Sequence, residues 1–172
     1  MTESRAPRDL REFLALLRRE GELVEVEAEV STDLEVAEIH RRVIAAEGPA
    51  LLFKRVKGSP FPLTTNLFGN KRRVDLAFGP QSAEFISRIA RAPEELFPPK
   101  LGELWKNRDL LKAVMNAGTK TIRNGPVTEV YDQTPDLTQL PALKTWARDG
   151  GSFITLPLVE TRHPETGVSN LG

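Results

Sequence analysis

The sequence contains no cysteine, which removes disulfide staples, thiolate nucleophiles and zinc-thiolate sites together and fits a reducing compartment. It has no excess of charge of either sign. The 24 Lys and Arg residues balance 24 Asp and Glu residues, so no overall field draws the chain to nucleic acid or to an anionic membrane. No apolar run is long enough to cross a bilayer, and residues 1–9 are polar and charged, without the apolar stretch of a secretory leader. A cytoplasmic location is expected, with no nucleic-acid partner and no transmembrane segment. There are only two histidines, His40 and His163, and their neighbours suggest neither a metal cluster nor a catalytic triad, so each reads as a surface or partly packed side chain. P-loop, GxGxxG, HExxH and GxSxG patterns are all missing, which excludes the familiar short catalytic motifs.

What remains has the composition of a folded protein. The 172 residues, 40% apolar and 28% charged, suffice for one domain and part of a second. Asp9 and Glu12 have capping-box spacing, and Leu10, Phe13, Leu14 and Leu17 recur at helical intervals until Gly21 stops the pattern. From 22 to 30 the period changes to two, with Val24, Val26, Ala28 and Val30 facing one way and Glu25, Glu27 and Glu29 the other, as in a half-exposed strand. Thr32 and Glu35 repeat the capping-box spacing before a helical stripe of Val36, Ile39, Val43 and Ile44 that ends at Gly48. Residues 50–56 and 61–68 read as strands, and 82–92 and 106–117 as helices separated by Pro93, Pro98 and Pro99. The text changes character at about 118–127. Beyond it come a short strand at 127–131, a loop at 134–143, a long apolar strand at 153–161, a turn at 162–167 and a further strand from Val168.

Few of these residues announce chemistry. Lys71, Arg72 and Arg73 open a short helix and could be imagined on a phosphate, but three charges in front of apolar residues read as a solvated face. Arg18, Arg19, Arg41 and Arg42 fall on polar helix faces. The run 149–157 differs, because Gly150 and Gly151 permit close approach of another group to the backbone and Thr155 places a hydroxyl on an otherwise apolar strand.

Several blocks along the chain, taken in order, resemble the UbiD-like decarboxylases. They are Asp9-Leu10-Arg11-Glu12-Phe13-Leu14 with Gly21-Glu22-Leu23, Gly48-Pro49-Ala50-Leu51-Leu52-Phe53, and Asn66-Leu67-Phe68-Gly69. The most specific come last: Leu140-Pro141, Asp149-Gly150-Gly151, Phe153-Ile154-Thr155-Leu156-Pro157-Leu158, Pro164-Glu165-Thr166-Gly167 and Asn170-Leu171-Gly172. The resemblance implies an α/β (α+β) fold: a mixed-sheet front domain at 1–125, then at 126–172 the first strands of a split β-barrel that binds prenylated FMN. It implies that Asn170 ligates a divalent metal, Mn2+ or Mg2+, bridging to the cofactor phosphate, and that Thr155 lies along the flavin pocket. An amide oxygen is a suitable neutral, hard ligand for either ion. The implied reaction is non-oxidative decarboxylation of an aromatic or α,β-unsaturated carboxylic acid, such as a polyprenyl-hydroxybenzoate in quinone biosynthesis. The implied partners are that small-molecule acid, a flavin prenyltransferase supplying the cofactor, and further copies of the chain in a homo-oligomer.

In the family an arginine follows the Asn-x-Gly segment, and a histidine and glutamates complete the metal site and the proton-transfer network. All would lie after Gly172. The expectation is therefore a piece of a longer enzyme with no catalytic residue of its own, inactive alone, whose part from 127 onward is poorly protected. Two alternatives stand beside it: a non-catalytic oligomerisation or interaction module derived from the family, and a flavin oxidoreductase, which redox turnover with a nicotinamide donor would reveal.

Overall fold

The computed structural model describes residues 6–79, Ser87 and residues 123–172. Ser87 apart, the helices expected at 82–92 and 106–117 lie outside the described residues. The chain divides into two compact units, Met1–Phe13 with Val74–Pro135 and Leu14–Arg73 with Asp136–Gly172. The observed class is α+β with a mixed sheet.

In the first unit half of the expected capping box is present: the Asp9 carboxylate accepts the Glu12 N–H at 2.9 Å at the start of helix α1 (Leu10–Arg19), while the Glu12 carboxylate takes the N–H of Arg8, one residue before the cap, at 2.9 Å. The strand expected at 127–131 is instead a 3-10 turn at Pro126–Thr128. The Thr128 hydroxyl accepts the Gly125 N–H at 3.2 Å and donates to the Gly125 carbonyl at 2.8 Å, which closes the chain on itself where an extended strand would have to open it.

The second unit is built on a three-stranded sheet in the order β1 (Leu23–Val30), β2 (Ala50–Val56), β3 (Leu63–Thr65). Helix α1 ends where Gly21 takes φ +71° and the Glu22 N–H reaches back to the Leu17 carbonyl at 2.8 Å, a glycine stop that turns the chain into β1. Helix α2 (Glu35–Ala45) carries the chain across to β2, which runs parallel to β1, and β3 returns antiparallel. The β1 register shifts between Val26 and Glu29, and Arg55 Nε donates to the Glu27 carbonyl at 2.8 Å within that irregularity. The core gathers Val30, Val36, Leu51, Phe53 and Val56, with Val26, Ile39, Val43 and Leu63 packed against it. Of the face expected from the β1 alternation only Val26 and Val30 reach this core, Val24 and Ala28 being exposed on a strand whose register shifts between Val26 and Glu29, and of the α2 stripe Val36, Ile39 and Val43 pack here while Ile44 is exposed.

The start of α2 differs from the expected Thr32–Glu35 box. Glu35 Oε2 accepts the Ser31 N–H at 2.7 Å, the Ser31 hydroxyl accepts the Asp33 N–H at 3.2 Å, and Leu34, at φ +65°, makes the final turn. The strand expected at 61–68 is short because Asn66 adopts φ +59°, a left-handed conformation that asparagine tolerates. Its amide donates to the Gly48 and Pro49 carbonyls, each at 3.0 Å, and so ties the end of β3 to the start of β2.

The reading of Lys71–Arg73 as a solvated face is corrected at Arg73. Arg73 as a whole is 1% exposed, its side chain is among the largest fully buried ones, and its guanidinium meets Glu22 Oε2 at 3.0 Å. Asn70 Oδ1 caps helix α3 (Lys71–Phe78) by accepting the Arg73 N–H at 2.8 Å, and Arg72 pairs with Glu20 at 3.2 Å and Glu22 at 3.4 Å. Gly69 is required by proximity: a Cβ there would lie 1.8 Å from Asn66 Oδ1 and 2.8 Å from Arg73 Nη2. The other basic residues behave as expected, with Arg41 and Arg42 clamping Glu38 on the surface of α2 and Arg18 pairing with Glu25. His40 is partly buried, its Nδ1 has no partner among the described residues, and burial lowers its pKa.

Candidate functional site

The late blocks of the sequence are carried by Asp136–Gly172, in the same unit as the sheet. Asp136 caps a 3-10 turn at Leu137–Gln139, accepting from the Thr138 hydroxyl at 2.5 Å and the Thr138 N–H at 2.9 Å; the first of these bonds does most to lower its pKa. The Gln139 carbonyl then takes the Ser59 hydroxyl at 2.6 Å. Leu143 enters the core beside Val30, Val36 and Phe53, while Lys144 bridges to Asp33 in parallel fashion, its N–H on the Thr32 carbonyl and its carbonyl on the Leu34 N–H, both at 3.0 Å. Leu143 also exchanges backbone hydrogen bonds with Phe153, at 3.1 and 2.9 Å. The strap 139–144 therefore fastens the late segment to the end of the sheet where β1 finishes.

Between Leu143 and Phe153 lies the loop with the paired glycines. Asp149 Oδ2 holds it closed, accepting the Trp146 N–H at 2.9 Å, the Thr145 hydroxyl at 3.1 Å and the Thr145 N–H at 3.3 Å. Trp146 itself is 71% exposed, and a Cβ on Gly150 or Gly151 would meet nothing within 4 Å. Attention to the glycines alone misses Asp149 as the cap; the Thr-x-x-x-Asp spacing is the signal that points to it.

The long strand expected at 153–161 is interrupted. Among the described residues Phe153 makes only its bridge to Leu143, Thr155 sits exposed in a bend, and regular pairing resumes at β4 (Glu160–Arg162). Pro157, inside the gap, supplies no N–H for a ladder. β4 pairs antiparallel with β5 (Ser169–Leu171) through Glu160 opposite Leu171, Thr161 opposite Asn170 and Arg162 opposite Ser169. The ladder extends one pair further, as Val159 and Gly172 exchange bonds at 2.8 and 3.0 Å. The connecting turn is closed by Gly167 at φ +70° and by His163, whose Nδ1 accepts the Glu165 and Thr166 N–H groups at 3.2 Å each. With Nδ1 accepting, the ring proton of a neutral His163 resides on Nε2.

Thr155 and Asn170 are both exposed and lie on different elements, with no hydrogen bond between them. Asn170 has Thr161 directly across the ribbon, so an amide oxygen and a hydroxyl share one face. Such neutral oxygen donors fit a hard divalent cation, and its charge would have to be balanced by anionic ligands from elsewhere. Among the described residues no group of three or more His, Cys, Asp and Glu could hold a metal.

Comparison with known proteins divides the chain in sequence order. Residues 14–92 match the 3-octaprenyl-4-hydroxybenzoate carboxy-lyase N-terminal domain, and residues 120–172 match the Rift-related domain of the same carboxy-lyase. The chain belongs to the UbiD family. A UbiD-family relative, a 4-hydroxybenzoate decarboxylase subunit of Chlamydia pneumoniae, is 47% identical over 95% of this chain and 28% of its own length. The UbiD-class enzyme HmfF from Pelotomaculum thermopropionicum is similar in structure. In complex with FMN it aligns with TM-score 0.65 and 26% identity over 94% of this chain and 32% of the enzyme. An evolved dimeric form in complex with prFMN gives the same TM-score and identity, over 94% of this chain and 34% of that form. The chain thus spans about a third or less of these relatives.

Proposed function

We propose that these residues form the amino-terminal portion of a decarboxylase that uses prenylated FMN and releases carbon dioxide from an aromatic or α,β-unsaturated carboxylic acid without net oxidation. The observation that carries this is the ordered match of both UbiD domains on one chain, the second of which brings Asn170 to a paired strand. Prenylated FMN, when bound, supplies an electron sink for the carbon that loses carbon dioxide. The chain's own share is binding and orientation. Asn170 would hold Mn2+ or Mg2+ through its amide oxygen, Thr155 would line the flavin pocket, and 126–172 would contribute the first strands of a split barrel after a front domain at 1–125. A polyprenyl-hydroxybenzoate of quinone biosynthesis is a substrate of the right class. A flavin prenyltransferase as cofactor supplier, assembly into a homo-oligomer and a cytoplasmic location complete the proposal; no helix among the described residues is long and apolar enough to cross a membrane.

Two outcomes test it. Asn170→Ala in the full-length protein is expected to lower manganese and flavin content together, by about tenfold, with the circular dichroism of the protein unchanged. Equal metal and flavin in the purified variant would remove Asn170 from the site. The 172 residues taken alone are expected to retain no flavin, since one amide and one hydroxyl cannot outweigh the hydration of a dication without an imidazole, a carboxylate and the phosphate. Gel filtration after incubation with prenylated FMN and Mn2+ checks this; stoichiometric co-elution would contradict it.

A further inference from the structure

Granting Asn170 its role as a cation ligand, the β4–β5 ribbon points to a second ligand on this chain. Positions 159 and 172 exchange both backbone bonds, and because antiparallel pairing repeats every second residue, Thr161 and Asn170 are also a hydrogen-bonded pair. Their Cα atoms are then about 5.5 Å apart and their side chains project from the same face. We propose that Thr161 Oγ1 is a further oxygen donor to the divalent cation held by Asn170.

The other positions on that face exclude themselves. Val159 and Val168 offer no donor, and Gly172 has no side chain. His163 is two residues from Thr161 on the same strand side, but its Nδ1 is engaged by two N–H groups of the turn and Nε2 carries the proton, so the neutral ring has no lone pair left for a metal. On the opposite face the polar groups serve one another: Glu160 pairs with Arg162 at 3.5 Å and accepts from the Ser169 hydroxyl at 3.4 Å. The Thr161 hydroxyl has no hydrogen-bond partner among the described residues. An amide oxygen and a hydroxyl oxygen at this separation can both reach a Mn2+ or Mg2+ ion at about 2.0–2.3 Å, and neither must lose a proton to do so.

The test uses full-length protein freed of metal and titrated with Mn2+ alone, with free Mn2+ followed by electron paramagnetic resonance. Thr161→Val keeps the branched shape and removes the oxygen; it is expected to weaken Mn2+ binding about tenfold, and Thr161→Ser to restore it to within about threefold. If the valine variant loses its circular dichroism signal, Thr161→Ala is read in the same way. Valine and parent affinities within about twofold, alongside weakened binding by Asn170→Ala, would overturn Thr161 and leave Asn170 standing. Parental affinity in Asn170→Ala as well, or no Mn2+ binding by the unmodified protein, would overturn both.

Discussion

Glu22→Ala is expected to destabilise the protein by about 3 kcal/mol, read as a fall in the urea midpoint, although Glu22 lies at a turn and is assigned no part in the chemistry. The reason is what it leaves behind. The Arg73 side chain is only 2% exposed and Glu22 is its carboxylate partner, at 3.0 Å, so removing the acid strands an ionised guanidinium away from water. Among the described residues Arg73 Nε has no acceptor and Asn66 Oδ1 no donor. The same change removes the acceptor of Asn70 Nδ2 at 3.4 Å and a partner of Arg72. The informative control is the pair Glu22→Leu with Arg73→Met. If the loss comes from an unpaired buried charge, this double variant recovers most of the stability that Glu22→Ala removes. If it is as unstable as the single variant, packing and not charge is responsible.

The Arg73 cluster also marks where sequence reading stops. A local window shows three consecutive basic residues opening a helix, and solvent is the ordinary place for them. Burial of Arg73 depends on Glu22, 51 positions earlier, and on the absence of a side chain at Gly69, neither of which a local window weighs. Helix α1, strand β1, helix α2 and strand β2 are legible for the opposite reason: their signals, capping spacing, a glycine stop, period two and period 3.6, are contained within each element. The candidate site is legible only through the resemblance. Asn170 and Thr155 carry no local signal that distinguishes them from any exposed amide or hydroxyl, and the register that sets Thr161 against Asn170 depends on how the turn at His163 and Gly167 closes. The long apolar stretch at 153–161 misleads by composition, since Pro157 cannot join a ladder however apolar its neighbours.

Leu143→Ala is expected to cost about 3 kcal/mol in the same denaturation experiment, with a single transition retained. On sequence alone the part from 127 onward is expected to be poorly protected, because its apolar strand at 153–161 is left with an unpaired edge and a bare face. The strap 139–144 gives one of those residues a partner. Leu143 is 9% exposed and packs with Val30, Val36, Leu51, Phe53 and Val56, which come from β1, α2 and β2, so truncating it opens a cavity in the core of the sheet. Backbone bonds from Lys144 to Thr32 and Leu34 hold it in place at 3.0 Å. Protection in the late segment is therefore expected to be graded. The amides of Leu143 and Lys144, bonded to Phe153 and Thr32, should exchange as slowly as those of β2, whereas Ile154, Thr155 and Leu158, exposed and outside any ladder, should exchange quickly. A loss below about 1 kcal/mol, or exchange at Lys144 as fast as at Leu158, would mean that the strap does not fold with the sheet. Agreement would mean that the segment bearing Thr155 and Asn170 is anchored at its root by the core of the sheet, while Leu156, Leu158 and Leu171 stay exposed beyond it.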